Sequence, residues 1–399
     1  MDIVLGIIIG LLVLMFLVVV HELGHFFAAR KSGIEVEEFG IGFSPRAIAW
    51  QKKNGKWQKI AKKDWKKPKG KGLVISLNWL PIGGFCKVRG ESDADERRGG
   101  FGKASLWGKT KTLFGGVTAN LAMGALILTV LACTGMPHFV EGQFSVSSDM
   151  HVKANPVTVF EVVKGSPAEQ AGLAQGDEIV SMGGEMVRLR TDVTSFNAKH
   201  AGELVSVTLM RGGEEMVKEV QLNEAGSEYL LGVTMSQEGV PLFRSTWSAP
   251  IVGVATTMQL TGATFVGVGQ LLWNLVSGVV MQVNFNSDIR GEGAANLEQA
   301  GNAVSGPIGI VGYIFPAFAS SGLTNLAFLT AIISISLACM NLLPIPALDG
   351  GRWLLIAIYR LRKKKLTTEV EERIVGRAFM TLIGLIVIIT ILDITRFFR

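Results

Sequence analysis

The sequence predicts a membrane α-helical bundle of about four spans, with six spans as the alternative, into which a small soluble domain of strands and short helices is inserted. Of the 399 residues, 48% are hydrophobic and only 18% are charged, whereas soluble domains carry about 25% charged residues. The apolar residues form blocks long enough to cross a bilayer. The positive charge, +6 overall, is concentrated in two clusters beside such blocks, which indicates membrane topology and gives no reason to expect a nucleic-acid partner.

The first predicted element is a spanning helix over residues 1–30. Residues 3–20 are all apolar or Gly, and apolar character continues beyond a polar insert to Ala29, which gives the length that a span needs. Asp2 precedes the block without any Lys or Arg, and no small-residue cleavage site closes it before His21. We therefore expect a retained span and not a cleaved signal peptide.

Residues 31–112 follow as a basic loop on the cytoplasmic side. Asp64 is the only acid in the lysine-rich part of this loop. Its lysines are Lys52, Lys53, Lys56, Lys59, Lys62, Lys63, Lys66, Lys67, Lys69 and Lys71. The positive-inside rule places such a loop in the cytoplasm, so the first span enters from outside and a second span, residues 113–134, returns outward.

A soluble domain is predicted over residues 155–236, outside the cytoplasm. Val and Ile alternate with polar residues from Val157 to Val163 and from Leu204 to Leu209, and glycine-rich turns recur. Alternation with a period of two is typical of strands with one buried face.

The remaining spans follow from charge parity, meaning that the number of crossings must return each basic cluster to the cytoplasmic side. A third span, residues 323–352, leads into a second basic cluster at 360–365, and the last span, residues 377–395, leaves again. The region 245–320 begins with a long stretch without charge. A single crossing there would strand the second cluster outside, so we expect a membrane-surface or re-entrant region, or a pair of crossings that gives six spans.

The chemistry-bearing motif is His21-Glu22-Leu23-Gly24-His25, which matches H-E-x-x-H. On a helix this spacing sets two imidazoles one turn apart on one face, where they can bind one Zn²⁺. Glu22 can then act as the catalytic base that takes a proton from metal-bound water. The alternative is that the motif only marks the polar end of the span, although three ionisable groups in a membrane helix are costly without a role.

Asp349 is the candidate third ligand, because a catalytic zinc site needs three protein ligands and an open position. His138, His151 and His200 all fall on the far side of the membrane, and Asp349 is the only carboxylate between residues 298 and 369. The alternative is that Asp349 caps the helix that follows it. The cysteines, Cys86, Cys133 and Cys339, have no ligand spacing and are interpreted as small buried hydrophobes.

The segment before Asp349 is interpreted as part of a substrate cleft. Pro344 and Pro346 break the helix there, and irregular backbone at membrane depth is tolerated where it lines a cavity. Asn341 either binds the substrate backbone or holds helices together.

These residues together resemble the site-2 protease family, and most closely its bacterial branch of regulators of sigma-E proteases. The resemblance rests on HELGH (21–25), PIGGF (81–85), GVTAN (116–120), SGPIG (305–309) and NLLPIPALDGG (341–351). It implies a multi-pass protein of the bacterial inner membrane that uses Zn²⁺ to cut a single-span membrane protein, such as an anti-sigma factor or signal peptide remnant, within the lipid bilayer. It adds Asn120, Gly83 and Gly84 to Asn341, Pro344 and Pro346 as candidate substrate-binding residues.

Two further segments are interpreted through the same resemblance. Residues 155–236, with Gly165 to Leu173 and the GDEI sequence at 176–179, look like a PDZ domain, which either captures an extended peptide or excludes bulky substrates by size. Residues 72–88 match a membrane-associated β-hairpin that presents an edge strand to the substrate. Leu73 to Leu77 and Phe85 to Val88 are its predicted strands, and a plain amphipathic surface hairpin is the alternative.

Two other functions remain open at this point. One is a membrane-anchored PDZ scaffold with a non-catalytic metal motif, against which the intact Glu22 argues, because a structural site needs no general base. The other is a zinc protease that degrades misfolded membrane proteins through a soluble catalytic domain. That function would require a third ligand on a polar helix, which the chain lacks.

Overall fold

The computed structural model describes residues 3–62, 65, 72–95, 97–140, 142–239, 241–284, 286–303 and 306–397. Half of the lysines predicted for the basic loop, Asp64 and the Ser305 of the SGPIG sequence lie outside these residues; the lysines are Lys63, Lys66, Lys67, Lys69 and Lys71. The chain divides into two compact units. One combines Met1–Thr129 with Gly253–Arg399, and the other is Val130–Val252.

The elements follow one another along the chain as α1 Ile3–Lys31, β1 Val36–Lys53, β2 Lys56–Lys59, β3 Val74–Val88, α2 Leu106–Leu113, α3 Gly115–Thr134, β4 Met136–Pro137, a 3-10 turn Ser147–Asp149, β5 His151–Lys153, β6 Val157–Val162, α4 Pro167–Gln170, β7 Glu178–Met182, β8 Glu185–Met186, α5 Arg190–Lys199, β9 Leu204–Arg211, β10 Glu214–Gln221, β11 Val233–Ser236, β12 Leu242–Arg244, α6 Ala249–Gln282, α7 Ser287–Ala303, α8 Pro307–Gly309, a π-helical turn Ile310–Ile314, α9 Phe315–Ser320, α10 Leu323–Leu342, α11 Asp349–Leu361 and α12 Thr368–Phe397.

Within the described residues, five helices are long and apolar enough to cross a membrane, namely α1, α3, α6, α10 and α12. Four of them, α1, α3, α10 and α12, overlap the predicted spans, although α10 ends at Leu342 and so stops short of the predicted bound at residue 352. The fifth, α6, lies in the region that the sequence assigned to the membrane surface or to a re-entrant element. A shorter apolar segment, Pro307–Ser320, follows it. The number of crossings, four or six, stays a prediction, because length and composition alone do not fix which apolar helices cross.

Glycines let α1 pack closely against its neighbours. A Cβ on Gly24 would lie 2.2 Å from the main-chain oxygen of Gly115, and one on Gly6 would lie 2.5 Å from the Cα of Pro316. Small residues at helix contacts are the usual means of bringing helix backbones together in a membrane. The close approach at Gly24 presses the HELGH turn of α1 directly against the start of α3.

The predicted β-hairpin region takes a different form from the expected pair of short strands. The two predicted strands are the halves of one strand, β3, which runs through residues 81–84 without interruption and bends at Gly83, where φ is +78°. The first half of β1 has partners on both sides: Ile41 pairs with Leu77 and also with Gly84. Gly83 supplies the bend, while continued pairing with β1 keeps the backbone in a strand.

The second unit contains two sheets. Its larger sheet has the strand order β10-β9-β7-β6-β11, with β8 paired to β7, and the smaller has the order β4-β12-β5. Alternate side chains of β6 and β9 are buried in one apolar core, as the period of two predicted, and Ile179 and Met182 of β7 are buried in the same core. Asp177 is fully buried and accepts hydrogen bonds from Arg211 at 2.6 and 2.7 Å. Hydrogen bonding to Arg211 holds the pKa of Asp177 below its usual range, although burial opposes this.

Candidate active site and metal centre

Two imidazoles and one carboxylate meet inside the first unit. His21 and His25 lie one turn apart on α1, and their Nε2 atoms are 3.1 Å from each other. Oδ2 of Asp349, from the start of α11, lies 3.2 Å from Nε2 of His21 and 3.3 Å from Nε2 of His25. One ligand atom from each residue could therefore reach a single metal ion.

The geometry of these three atoms fits zinc. Ligands about 2.0–2.1 Å from a tetrahedral Zn²⁺ are about 3.3 Å apart, and the three separations here are 3.1, 3.2 and 3.3 Å. Oδ2 of Asp349 is buried and has no hydrogen-bond partner among the described residues. A Cβ on Gly116 would lie 2.6 Å from Nε2 of both histidines, so a glycine at this position keeps the α3 side of the ligand atoms free of side-chain atoms.

Asp349 does not serve as the helix cap considered in the sequence analysis. The N-cap of α11 is Leu348, and Asp349 is the first helical residue, with its carboxylate directed at the histidines. The two glycines that follow let the first turn of α11 pack against the preceding loop. A Cβ on Gly350 would lie 2.3 Å from the oxygen of Leu342, and one on Gly351 would lie 2.0 Å from that of Ile345.

Glu22 lines a cavity of about 310 Å³ that the metal ligands also line. The second half of β3 runs past it: a Cβ on Gly84 would lie only 3.6 Å from Cγ of Glu22. Gly83 is the bend residue of the same strand, and its missing Cβ makes room for the ring of Phe43. An extended backbone therefore lies beside the carboxylate of the HELGH sequence.

The other predicted substrate residues are placed differently from one another. Asn341 lines the cavity, and its Nδ2 donates to the oxygen of Leu337 at 2.9 Å. Pro344 is exposed and Pro346 is half-buried, and neither is among the lining residues found for the cavity. Asn120 is fully buried against the ring of His21. In this arrangement the side chain of Asn120 contacts a predicted metal ligand, and its substrate-binding role stays a prediction.

Cys86 lines the cavity between the second half of β3 and Glu22. Burial, with a smaller contribution from the charges of Glu22 and Glu91, raises the pKa of the Cys86 thiol to about 12. The thiol is therefore protonated at neutral pH, whereas thiolate is the form that binds metals. The interpretation of the three cysteines as small buried hydrophobes holds for Cys339, which is buried, whereas Cys86 is half-buried and Cys133 is exposed.

A network of charges that the sequence analysis missed holds α11 in place. Arg352, one turn after Asp349, donates to the carboxylate of Glu371 on α12 at 3.2 Å and lies over the ring of Phe101. Lys109 of α2 is buried, pairs with Asp93 and lies over the same ring. These partners come from segments far apart in the chain, so no local spacing signals them.

Comparison with known proteins supports the zinc assignment. Residues 9–385 match the family model of peptidase family M50. A zinc metalloprotease of Clostridium perfringens is 30% identical over 97% of this chain and 98% of its own. One of Agrobacterium fabrum is 29% identical over 96% and 94%, and the zinc metalloprotease RasP of Shouchella clausii is 24% identical over 96% and 97%. A solved PDZ domain of the SdrC-like protein of Listeria monocytogenes aligns with 21% of this chain and 92% of its own at 19% identity, with a TM-score of 0.19.

The chain belongs to peptidase family M50, the site-2 proteases, and is a zinc metalloendopeptidase that resides in a membrane as a multi-pass protein.

Proposed function

We propose that this protease cuts a membrane-spanning substrate within the bilayer. The observation that carries the proposal is that His21, Glu22 and His25 lie on α1, the most apolar of the candidate spans, while Asp349 joins them from the start of α11, which follows the candidate span α10. Ionisable groups at membrane depth are expensive and mark functional sites. This placement supports the proposal that the peptide bond reaches the site from within the membrane.

In the proposed mechanism each residue has one task. Nε2 of His21, Nε2 of His25 and a carboxylate oxygen of Asp349 would hold the metal. Zinc, when bound, supplies a Lewis acid and makes water a stronger nucleophile near neutral pH. Glu22 accepts the proton of the attacking water and later donates it to the leaving amine of the cleaved peptide bond.

Substrate binding is proposed along β3. The stretch around Gly83 and Gly84 passes Glu22, and an extended substrate segment can add to a strand through main-chain hydrogen bonds. The side-chain amide of Asn341, which also lines the cavity, is the second proposed contact. Pro344 and Pro346 shape the loop that carries Asp349 and are proposed to bound the cleft without contacting the reacting bond.

The soluble unit is proposed to control access from outside the cytoplasm. Residues 155–236 form the sheet in which β11 is an edge strand, and an edge strand is where a PDZ domain binds an extended peptide. Peptide capture and exclusion by size both remain proposals for this domain. The inner membrane of a bacterium is the proposed location, with the basic loops in the cytoplasm.

Thiol labelling tests this orientation. In a chain whose three native cysteines are replaced by serine, we expect Lys56→Cys and Lys363→Cys to react with a membrane-impermeant reagent only from the cytoplasmic side, and Arg190→Cys only from the other side. The Cys-free parent is the control for background labelling. Reaction of Arg190→Cys from the cytoplasmic side would contradict the proposed orientation.

Cleavage of matched substrates tests the function. We expect a reconstituted single-span substrate with Gly and Pro in its span to be cut inside that span. The same substrate with a poly-Leu span should be cut at least about tenfold more slowly, because exposing helix backbone in lipid costs several kcal/mol. Mass spectrometry of the new termini gives the position. Equal rates for both substrates, or new termini only in the aqueous flanks, would contradict intramembrane cleavage.

A further inference from the structure

The side-chain amide of Asn120 has an unusual position. Asn120 lies on α3, one turn after Gly116, and is fully buried. Its Nδ2 lies 3.4 Å from Nδ1 of His21, while its Oδ1 has no hydrogen-bond partner among the described residues. Buried amide oxygens are nearly always hydrogen-bonded, so an unpaired one needs an explanation.

The chemistry of the two histidines supplies one. A neutral imidazole that binds a metal through Nε2 carries its proton on Nδ1, and that N–H normally donates a hydrogen bond to an acceptor that does not itself bind the metal. Nδ1 of His25 has such an acceptor in the main-chain oxygen of Thr112, at 2.7 Å. Among the described residues, the hydrogen-bond contact found for Nδ1 of His21 is with the amide of Asn120. If Nε2 of His21 binds the metal, the ring proton is on Nδ1. With the amide nitrogen of Asn120 pointing at Nδ1, two N–H groups then face each other and no hydrogen bond can form.

Rotation of the amide by 180° removes this conflict. It exchanges Oδ1 and Nδ2, which occupy nearly the same space, and sets an acceptor against the Nδ1–H of His21. Either orientation leaves one end of the amide without a protein partner, but only this one is compatible with Nε2 as a metal ligand. The metal-binding state of His21 therefore selects the orientation of Asn120.

Asn120 is also well anchored for this task. Its main-chain oxygen accepts a hydrogen bond of 2.9 Å from Oγ of Ser334 on α10, and both residues are fully buried. This hydrogen bond ties the backbone of α3 at Asn120 to α10, which precedes Asp349, while the side chain faces His21 on α1. An acceptor held on a rigid element fixes both the tautomer and the ring plane of a ligand.

We propose that Asn120 is a positioning residue for the metal centre, which accepts a hydrogen bond from Nδ1 of His21 and so directs Nε2 to the zinc. The inference rests on the proposed role of His21 as a ligand. Loss of a hydrogen-bond partner of a metal ligand typically lowers metal affinity about 10–100-fold. The two ligand histidines are then supported unequally: a main-chain carbonyl, which substitution cannot remove, orients His25, and a side chain orients His21.

Three variants of the full-length protein test this inference. Asn120→Leu has nearly the same volume and no acceptor, whereas Asn120→Asp keeps an acceptor in place. Thr118→Val is the control, because Thr118 lies on the same helix, is exposed, and its Oγ1 donates to the main-chain oxygen of Phe114, four residues earlier. We measure zinc affinity by competition with a chelator, and the visible spectrum of the Co²⁺-substituted protein reports the ligand field directly.

We expect Asn120→Leu to weaken zinc binding about 10–100-fold and to change the Co²⁺ spectrum. Asn120→Asp and Thr118→Val should bind zinc at least as well as the wild type. A packing role would give the opposite order, because a buried carboxylate is harder to accommodate than Leu. Wild-type affinity in Asn120→Leu, or weaker binding in Asn120→Asp than in Asn120→Leu, would overturn the inference. Zinc binding that His21→Ala leaves unchanged would instead overturn the proposed metal site itself.

Discussion

Replacement of Glu22 by Gln is expected to lower the rate of peptide-bond cleavage at least about 100-fold while zinc stays bound. The substitution keeps the shape of the side chain and the three ligand atoms, whose separations do not involve Glu22. It removes only the group that can accept and return a proton next to the metal. The rate is measured on a reconstituted single-span substrate, and the zinc content by elemental analysis of the same preparation.

Cys86→Ser serves as the matched control for Glu22→Gln. Cys86 lines the same cavity, but its protonated thiol has no assigned chemical role. We expect this variant to keep most of its activity. Cleavage by Glu22→Gln above a few per cent of the wild-type rate would remove Glu22 from the mechanism, and loss of zinc in that variant would assign it a ligand role.

Replacement of Asp349 by Asn is expected to reduce zinc affinity and cleavage together. The loss should exceed the roughly 10–100-fold effect of removing an outer-shell partner, because a direct ligand is lost. The two histidines remain, but a neutral amide is a poor substitute for a carboxylate ligand to zinc. Both quantities are measured on one preparation, zinc affinity by chelator competition and cleavage on the reconstituted substrate.

Asp393→Asn is the control for this substitution. Asp393 is another buried carboxylate on an apolar helix, and its Oδ2 accepts a hydrogen bond from the main-chain nitrogen of Gly309 at 2.9 Å. It has no part in the metal centre, so zinc affinity should not change. If Asp349→Asn bound zinc and cleaved substrate as the wild type does, the third ligand would have to be found elsewhere.

The sequence was sufficient for the parts of the site that depend on local spacing. The four-residue repeat of His21 and His25 predicts two rings on one face of a helix, and charge parity predicts that Asp349 lies on the same side of the membrane. The structure brings these three residues within a few ångströms of one another. The zinc metalloprotease assignment is confirmed by the family match.

The outer partners of the ligands were beyond prediction from the sequence. Thr112 contributes a main-chain oxygen, which any residue type could supply. Asn120 was assigned to the substrate from the family resemblance, and nothing in the local sequence indicates its contact with His21, which is distant in the chain. Gly116 acts through the absence of a side chain. Such roles depend on how α1, α2 and α3 pack, and hydropathy carries no information about that.

The fold, like the site, was predictable where it depends on local sequence patterns and not where it depends on pairing between distant segments. Alternating apolar residues marked β6 and β9, because one face of each strand is buried. The continuous strand β3 was expected as two, because Pro81 and Gly83 ordinarily end strands. Pairing of both its halves with β1 outweighs those local preferences.

The central claim is that one zinc ion is held by His21, His25 and Asp349. Zinc X-ray absorption of the full-length protein in lipid tests it most directly, with Asp349→Asn measured in parallel. We expect two nitrogen neighbours at about 2.0–2.1 Å and protein oxygen at about 2.0–2.2 Å, with the imidazole signals retained and the oxygen shell altered in Asp349→Asn. A sulfur neighbour at about 2.3 Å, an absence of imidazole signals, or identical spectra for the two proteins would contradict the account.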